Sequence, residues 1–255
     1  MNKFGDKLHS AVLSEDGSFT AFSKEYNEHY HSTKDGALNE TFYKHIYPAF
    51  SKMQHKKEVV ILDICFGLGF NTLATLLFYK QNNLTCKLKI YSPELDEPLV
   101  RSLVDFNYPD EFQEFRQIVN SLSKDGFYKD ENFEIEVFLG DAREYVKKFE
   151  NFFDIVYQDA FSPSVNPVLW TLEYFRDISK AIKEDGVLTT YSISFATRVA
   201  LWENGFNIYL NKGKNFRSST VASLSKLKVF DEVDMPHKIK CNPDKKPLMD
   251  ALLNG

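Results

Sequence analysis

Strand and helix patterns alternate along the chain from residue 59 to residue 224, and this alternation limits the possible folds more than any other feature. The predicted strands are 59–63, 88–92, 133–139, 153–158 and 187–192. The predicted helices are 71–79, 98–106, a short helix from Ala142, 169–183 and 195–204, and strands 206–210 and 220–224 follow as a hairpin. Buried strands that are separated by helices form a parallel sheet with helices on both faces. The sequence therefore predicts an α/β fold with a doubly wound, mostly parallel sheet.

The segments outside this alternation are predicted to be extensions of the central domain. Asp16-Gly17 lies between two apolar stretches, which predicts an N-terminal hairpin of strands 11–13 and 19–22. Apolar side chains at helical spacing predict a helix over 39–50. Asp185-Gly186 is predicted to end the helix 169–183, the polar segment 105–132 to be an insertion, and the tail after Asp231 to be irregular. We expect an N-terminal extension (1–50), a central domain (51–230) and a C-terminal tail (231–255).

The composition disfavours several classes of protein. The chain has no run of about 18 apolar residues and no apolar stretch at its start, so neither a membrane span nor a signal peptide is predicted. Cys65, Cys86 and Cys241 lack the spacing of metal ligands, which favours reduced thiols in the cytoplasm and no metal site. The net charge is −5, but residues 211–246 hold nine Lys or Arg against four Asp or Glu. Such a segment is either an RNA-facing patch or an ordinary solvated surface.

A glycine-rich turn follows the first predicted strand, between Asp63 and Asn71. Glycines here let the backbone approach a nucleotide, and the next helix offers free N–H groups at its first turn. A Gly-x-Gly pair also occurs in ordinary tight turns. The cofactor-binding candidates of this turn are Asp63, Phe66, Gly67, Gly69 and Asn71.

Acidic residues after the next two strands favour the nucleotide interpretation. Glu94 follows the second strand, with Asp96 as the neighbouring candidate, and a carboxylate there can accept both ribose hydroxyls. Asp141 and Ala142 follow the third strand, where an acid can accept the exocyclic amine of adenine or cap the next helix. The carboxyl ends of parallel strands share one edge of the sheet, so these side chains are expected to converge.

Two absences from the turn indicate which cofactor it holds. Dinucleotide sites carry a third glycine, but Thr72 stands at that position, and no Walker lysine follows. A site that does not hold a pyrophosphate favours S-adenosyl-L-methionine over NAD. Cys65 takes the place where methyltransferases usually have their first glycine.

The residues after the fourth strand carry a family resemblance. They read Asp159-Ala160-Phe161-Ser162-Pro163, followed by Asn166-Pro167 and Trp170. Together with 66–71 and Gly140-Asp141, this run resembles the methyltransferase domain of the tRNA 5-methylaminomethyl-2-thiouridine biosynthesis enzymes (MnmC). Further matches lie at 28–40, 190–192 and 204–206, so the resemblance covers 18–223. It implies the Rossmann-like fold of class I S-adenosyl-L-methionine-dependent methyltransferases, with the N-terminal hairpin as an extension.

The resemblance also implies a reaction. A methyl group would pass from S-adenosyl-L-methionine to the amine of 5-aminomethyluridine, or its 2-thio form, at the wobble position of tRNA. Asp159 would lie beside the methyl group and orient the amine, because a carboxylate of pKa about 3.9 is a weak base. The family's long form also carries an FAD-dependent oxidase domain. We expect the stand-alone form, active in the cytoplasm, with any oxidase as a separate partner.

The residues expected to bind the anticodon stem-loop come from three parts of the chain. Aromatic rings such as those of Phe161 and Trp170 can stack on a flipped-out base, and core packing explains Trp170 at least as well. Basic side chains after a late strand can contact phosphates. The substrate-binding candidates are Tyr30, His31, Phe161, Pro163, Lys212, Lys214 and Arg217.

Other functions stay open at this point. A small-molecule amine methyltransferase and an aminopropyltransferase of the spermidine synthase type share the fold. Ser162, Ser164 and Asn166 after the fourth strand, where a polyamine enzyme would have acids, disfavour the latter. A non-catalytic module on this fold is disfavoured by the retained glycines and acids, and an NAD-dependent oxidoreductase by the missing third glycine.

Overall fold

Two β-sheets form the framework of the protein. The structure is a computed structural model, and it describes residues 4–5, 7–53, 55–214 and 216–253. The N-terminal sheet consists of β1 (His9–Leu13), β2 (Phe19–Ser23) and β3 (Glu28–His29). The central sheet consists of β4 (Glu58–Ile64), β5 (Lys87–Glu94), β6 (Phe127–Lys129), β7 (Phe133–Leu139), β8 (Phe153–Gln158), β9 (Ile182–Thr190), β10 (Asn207–Asn211), β11 (Ser219–Ser223) and β12 (Asp231–Glu232). Its order is β12-β10-β11-β9-β8-β4-β5-β7-β6, in which β7, β5, β4, β8 and β9 are parallel. This arrangement confirms the predicted fold class.

Helices connect the parallel strands and cover both faces of the central sheet. They are α1 (Ala37–Thr41), α2 (Tyr47–Phe50), α3 (Phe70–Gln81), α4 (Glu97–Ser102), α5 (Arg116–Asp125), α6 (Ala142–Val146), α7 (Leu172–Ala181), α8 (Phe195–Glu203) and α9 (Met235–Lys240). A π-helical turn, Phe42–Ile46, joins α1 to α2. Short 3-10 helices are Leu103–Asp105, Asp110–Phe115, Pro167–Leu169 and Asp250–Leu252. None of the helices in the described ranges has the length and apolar character that a membrane crossing requires.

The unbroken apolar run of β4 follows from the two covered faces. Val59 and Ile61 belong to one core, which includes side chains of α3 and α5. Val60, Leu62 and Ile64 belong to a second core, which includes side chains of α6, α7 and α8. Neighbouring side chains of a strand point to opposite faces, so a central strand needs apolar residues at every position.

Most elements lie where the sequence predicts them. β1 and β2 pair antiparallel on either side of Asp16-Gly17, with Leu13 opposite Phe19. β10 and β11 form the predicted closing hairpin. The helix predicted over 39–50 begins at Ala37 and runs through the π-helical turn into α2. Period and turn signals act locally, which is why they identify these elements.

Two predictions about the C-terminal half are wrong. Asp185-Gly186 does not end a helix: α7 ends at Ala181, and both residues lie in β9 beside a register shift against β8. A Cβ atom at Gly186 would lie 2.6 Å from the Ile182 side chain, so the glycine serves close packing in an irregular strand. The tail after Asp231 is not irregular throughout. It forms β12 and α9, and Asp234 caps α9 by accepting the His237 N–H.

The polar insertion 105–132 is partly helical and contributes a strand. It contains Asp110–Phe115 and α5, and then β6, which pairs with β7 at the edge of the sheet. Phe112 and Phe115 are buried although the segment is polar overall. Few apolar residues suffice here because only one face of the insertion contacts the sheet.

Candidate active site

A cavity of about 840 Å³ opens at the carboxyl edge of the central sheet. Its wall contains residues that follow β4, β5, β7, β8 and β9, and residues 25–33 of the N-terminal extension close one side. The chain reverses its direction of winding between β4 and β8, so the loops that leave these strands diverge. Ligands of open α/β sheets bind in the crevice that such a divergence creates. The volume is in the range of small-molecule and cofactor sites.

The glycine turn forms the floor of the cavity under strong conformational constraint. Cys65, Gly67 and Gly69 have φ angles of 65°, 53° and 74°. The left-handed region favours glycine, which explains why a glycine is usual at the position of Cys65. A Cβ atom at Gly67 would lie 3.2 Å from the ring of Tyr30, so the absence of a side chain lets Tyr30 pack closely on this backbone at the cavity wall. Gly69 caps the N-terminus of α3.

Backbone amides hold Glu94 at the cavity wall. One carboxylate oxygen accepts the N–H of Gly67 at 2.8 Å, and the other accepts those of Leu95 and Asp96 at 2.8 and 2.9 Å. Burial raises the pKa of Glu94, and the three N–H donors oppose that effect. Asp96 also lines the cavity, but it caps α4 through Leu99 and lies 3.3 Å from His9 Nε2. The carboxylate of Glu94 is therefore the more rigidly oriented of the two.

Asp141 caps a helix and also lies in the wall of the cavity. Its carboxylate accepts the N–H groups of Arg143 at 2.7 Å and Glu144 at 3.3 Å, which caps α6. Asp141 and Ala142 also line the cavity. A carboxylate oxygen has two lone pairs, so a cap does not exhaust its capacity to accept further hydrogen bonds.

Asp159 lies directly after β8 and reaches the cavity with both carboxylate oxygens contacted. Asn71 Nδ2 donates to Oδ2 at 2.9 Å, and His45 Nε2 lies 3.3 Å from Oδ1. Burial alone would raise the pKa of Asp159, but the nearby His45 and the hydrogen bond from Asn71 outweigh it and lower the pKa. The side chain is therefore a carboxylate at neutral pH.

Asp63 lies beneath the glycine turn and is fully buried. It accepts hydrogen bonds from Asn71 Nδ2 at 3.1 Å and from Thr72 Oγ1 at 2.9 Å. Burial raises the pKa of Asp63 to about 7, although these two hydrogen bonds oppose the shift. Asn71 donates to both Asp63 and Asp159, so one polar side chain connects the buried aspartate before the glycine turn with the carboxylate in the cavity wall.

The N-terminal extension covers the cavity with aromatic and acidic side chains. Tyr30 packs edge-on against Phe161 at 4.9 Å, and Tyr26 stacks on the same ring at 4.6 Å. Glu28 accepts the N–H of Ser162 at 3.0 Å, which ties the extension to the loop after β8. Burial lowers the pKa of His31, which also lines the cavity, so its imidazole is neutral at neutral pH.

Only one of the three basic residues predicted to bind substrate, Arg217, lies in the cavity wall. Arg217 lines the cavity and donates to Asp35 at 2.8 Å and to Ser32 at 2.9 Å. Lys212 lies away from the cavity wall and pairs with Asp231 at 2.5 Å, and Lys214 is exposed. Of the two roles open for Trp170, base stacking and core packing, the structure shows core packing. The residue is fully buried, and its Nε1 donates to the Phe161 carbonyl at 2.7 Å, so it supports the loop from below.

The structure brings together most of the predicted residues, and it adds several that the sequence did not indicate. Predicted residues in the cavity wall are Tyr30, His31, Gly67, Glu94, Asp141, Ala142, Asp159, Phe161 and Arg217. Predicted residues that lie outside the wall, among those described, are Asp63, Phe66, Gly69, Asn71, Pro163, Lys212 and Lys214. Wall residues that were missed include Tyr26, Glu28, Glu40, Lys44 and Tyr191. The family matches at 28–40 and 190–192 were signals for Glu28, Glu40 and Tyr191, whereas Lys44 comes from an ordinary helix pattern.

The fold and the cavity are those of a Rossmann-like, S-adenosyl-L-methionine-dependent methyltransferase, and comparison with known proteins agrees. The sequence pattern of a family of S-adenosyl-L-methionine-dependent methyltransferases matches residues 110–225. The crystal structure of MnmC2 from Aquifex aeolicus superimposes with a TM-score of 0.84 and 32% sequence identity, covering all of this chain and 82% of that one. The chain belongs to the MnmC-type family of S-adenosyl-L-methionine-dependent methyltransferases, and S-adenosyl-L-methionine is its cofactor.

Longer relatives match as well. The uncharacterized protein MJ0670 of Methanocaldococcus jannaschii is 33% identical over 206 residues, which are 78% of this chain and 55% of that protein. The tRNA 5-methylaminomethyl-2-thiouridine biosynthesis bifunctional protein MnmC of Burkholderia vietnamiensis is 29% identical over 218 residues, 79% of this chain and 33% of that protein. The chain thus spans about half of the first relative and a third of the second.

Proposed function

We propose that the protein methylates the primary amine of 5-aminomethyluridine, or its 2-thio form, at the wobble position of tRNA. The observation that carries the proposal is the carboxylate of Asp159. It is ionised, is held at both oxygens, and lies where the loop after β8 meets the glycine turn. The name of the MnmC relatives contains the methylated nucleoside, 5-methylaminomethyl-2-thiouridine in tRNA, and the proposed substrate is the same nucleoside without that methyl group. A tRNA substrate would also assign the enzyme to the cytoplasm.

The charge of the cavity fits a positively charged cofactor and an amine substrate. S-adenosyl-L-methionine supplies a methyl group on a positively charged sulfur. The wall contains two cations, Lys44 and Arg217, which are both paired with Asp35. Its acidic residues are Glu25, Glu28, Glu40, Glu94, Asp96, Asp141 and Asp159. An excess of acids attracts cations and disfavours substrates with a carboxylate.

Three residues are proposed to hold the cofactor. Gly67 would let the cofactor lie close to the backbone, because it lines the cavity and carries no side chain of its own. Glu94 would accept the ribose hydroxyls, since its two oxygens are already oriented by amides at 2.8–2.9 Å. Asp141 would accept the adenine amine with the lone pairs that its helix cap leaves free. Asp63 and Asn71 would support this arrangement from beneath.

The reacting amine is proposed to be oriented by Asp159. An amine attacks a sulfonium methyl in line, and alignment can supply much of the acceleration. Asp159 would accept an N–H hydrogen bond from the amine and leave its lone pair directed at the methyl carbon. The lowered pKa of Asp159 makes it a poor base, so the proton of an arriving ammonium needs another acceptor. Solvent at the open mouth of the cavity can take that proton, because the lowered pKa of His31, the neutral imidazole in the same wall, makes it a weak base as well.

The mouth of the cavity suits a nucleotide that is splayed out of an RNA loop. Several apolar side chains on its rim are exposed: Leu8, Leu95, Val168 and Ile193. Exposed apolar groups around a polar cavity mark a contact site for a partner surface. Tyr26 and Phe161 offer rings for a base, and Arg217 is 66% exposed and can reach a phosphate. An oxidase that trims a carboxymethyl group would act before this enzyme, as a separate partner.

A small-molecule amine is the second candidate substrate. Such an amine could be methylated, and the transfer of an aminopropyl group to it is a related reaction. The acidic wall favours both, because a polyamine carries several positive charges. The open, apolar rim favours the larger substrate, since a small polyamine would gain nothing from it.

The test is transfer of a radiolabelled methyl group from S-adenosyl-L-methionine to tRNA that carries 5-aminomethyluridine. The nucleosides are then released and separated. We expect label in 5-methylaminomethyluridine. The label should be absent when the tRNA lacks the aminomethyl group, and it should be lost with the Asp159→Asn variant. Parallel reactions contain putrescine or spermidine in place of tRNA. Label in a polyamine but not in tRNA would contradict the proposal and favour the second candidate.

A further inference from the structure

His45 lies on the π-helical turn Phe42–Ile46 and contacts Asp159 from behind the cavity. Its side chain is 1% exposed, and its Nε2 atom lies 3.3 Å from Asp159 Oδ1. Its other nitrogen, Nδ1, lies 3.0 Å from the hydroxyl of Thr189 on β9. Both ring nitrogens therefore face polar atoms of buried or half-buried residues, and the ring bridges the N-terminal extension to the end of the central sheet.

The helical turn itself is unusual at this position. A π-helical turn inserts one residue into the α-helical hydrogen-bond pattern, and such turns concentrate at functional sites. Here the side chains of Lys44 and His45 are both buried although they are consecutive. Lys44 contacts Glu40 and Asp35 at 2.5 and 3.2 Å, while His45 turns to Asp159. The turn thus directs two neighbouring polar side chains toward the cavity region.

Asp159 is held between two elements as a result. Asn71 on α3 donates to Oδ2 at 2.9 Å, and His45 faces Oδ1 from the opposite side. Without His45, only the hydrogen bond from Asn71 to Oδ2 would restrain the Asp159 carboxylate. The carboxylate could then rotate more freely about its side-chain bond. Thr189 Oγ1 can donate to Nδ1, and Nε2 then carries a proton that faces the carboxylate of Asp159.

We infer that His45 is a positioning residue for methyl transfer: it fixes Asp159 Oδ1 so that the carboxylate presents its free lone pairs to the substrate amine. The inference rests on the proposed function for the identity of the amine. His45 does not line the cavity in the described part of the chain, so it acts through Asp159 and not on the substrate. Small displacements of an orienting group cost large factors in rate.

Kinetics of His45→Leu and His45→Gln, each with and without Asp159→Asn, test this inference. His45→Leu is expected to lower kcat roughly 10–100-fold with little change in KM for S-adenosyl-L-methionine. His45→Gln is expected to recover part of the loss, because the glutamine amide can reach the position of Nε2. In the Asp159→Asn background, His45→Leu is expected to change kcat less than about twofold, since its effect passes through Asp159. Equal losses in both backgrounds would overturn the inference.

Phe42→Leu is the matched control, because Phe42 lies on the same turn and packs against Tyr47, away from the cavity. It perturbs the helix without touching Asp159, and kcat is expected to stay near the wild-type value. A loss as large as that of His45→Leu would mean that any disturbance of the turn is harmful, and the positioning role would be withdrawn.

A second measurement does not depend on the substrate. The titration of the Asp159 carboxyl carbon is followed by NMR in ¹³C-aspartate-labelled protein and assigned with Asp159→Asn. The titratable or polar groups near Asp159 are His31, His45, Asp63, Cys65, Asn71 and Tyr191. His45→Leu is expected to raise the pKa of Asp159, and an unchanged titration would overturn the inference. If the wild-type protein labels no tRNA, the proposed function fails, and this titration still decides whether His45 governs Asp159.

Discussion

A buried aspartate lies near the start of β8 and a half-buried one directly follows its end, and the two residues have opposite surroundings. Asp154, near the start of the strand, is fully buried and all its accepting positions face donors. It accepts the Val60 N–H at 2.8 Å, the Lys56 ammonium at 2.7 Å and the Lys183 ammonium at 3.0 Å. Asp159, just after the end of the strand, contacts one donor at each oxygen and keeps a side open to the cavity.

The difference shows how one strand separates stability from function. A buried carboxylate that is saturated by donors links the elements that supply them, here β4, β9 and the segment before β4. A carboxylate with unused lone pairs can take up a ligand instead. In open parallel sheets the carboxyl edge holds the ligand, so the unsaturated residue lies at that edge and the saturated one at the opposite edge.

The largest effect is expected for Asp154→Ala, on stability alone. Removing the carboxylate leaves two ammonium groups and one N–H without their partner, and the loss should be about 3 kcal/mol, at the low end for buried pairs because both lysines reach solvent. Urea unfolding measures it. Asp177→Ala, which removes an exposed pair with Lys180, is the control and should cost less than about 0.5 kcal/mol. If folded Asp154→Ala protein lost methyl transfer, Asp154 would affect activity as well as stability, and the contrast with Asp159 would be wrong.

The second effect is expected for Asp159→Asn, on activity alone. Without the charge and acceptor capacity of the carboxylate, kcat should fall about 100-fold, equivalent to about 2.7 kcal/mol in the barrier. The free energy of unfolding should stay within about 0.5 kcal/mol of wild type, since an amide fits the same space. Steady-state kinetics and urea unfolding of one preparation compare the two. A large loss of stability would mean that Asp159 is also a structural residue.

Asp63→Asn is expected to change the pH dependence of stability. The pKa of Asp63 is about 7 in the folded protein, whereas an unfolded aspartate titrates near 3.9. Between these values only the folded state keeps the proton, so the free energy of unfolding falls as pH rises through this window. From pH 5 to pH 6.5 the wild type should lose about 2 kcal/mol relative to Asp63→Asn. Parallel curves for the two proteins would show that Asp63 titrates normally.

The smallest effect is expected for Lys56→Met. Lys56 is 25% exposed and pairs with both Asp154 and Asp185, so its removal should cost about 1 kcal/mol, while Lys183 still neutralises Asp154. Thermal unfolding should report a fall of roughly 2–4 °C. Lys147→Met, which removes an exposed pair with Glu144, serves as the reference and should leave the midpoint unchanged. A cost as large as that of Asp154→Ala would mean that a single lysine carries the whole cluster.

Local signals predicted well wherever one short segment determines the outcome. The alternation of strands and helices, the hairpin at Asp16-Gly17 and the glycine turn depend on residues that are close in sequence. The same kind of reasoning failed at Asp185-Gly186, because a capping dipeptide and a close-packed glycine in a bulged strand look alike in sequence. For Trp170 it left base stacking and core packing open, because the ring is aromatic in either role, and the structure shows the ring fully buried.

The sequence by itself determined the order of the elements and the presence of a glycine turn and acids after successive strands, since periodicity and turn chemistry are local properties. Only the tertiary structure decided which partners these groups meet. Asn71 reaches Asp159 across 88 residues, and His45 reaches Thr189 across 144. Such pairs leave no pattern in a single sequence, because their contact depends on how strands are ordered in the sheet. That order is set by the burial of both sheet faces, to which residues throughout the chain contribute.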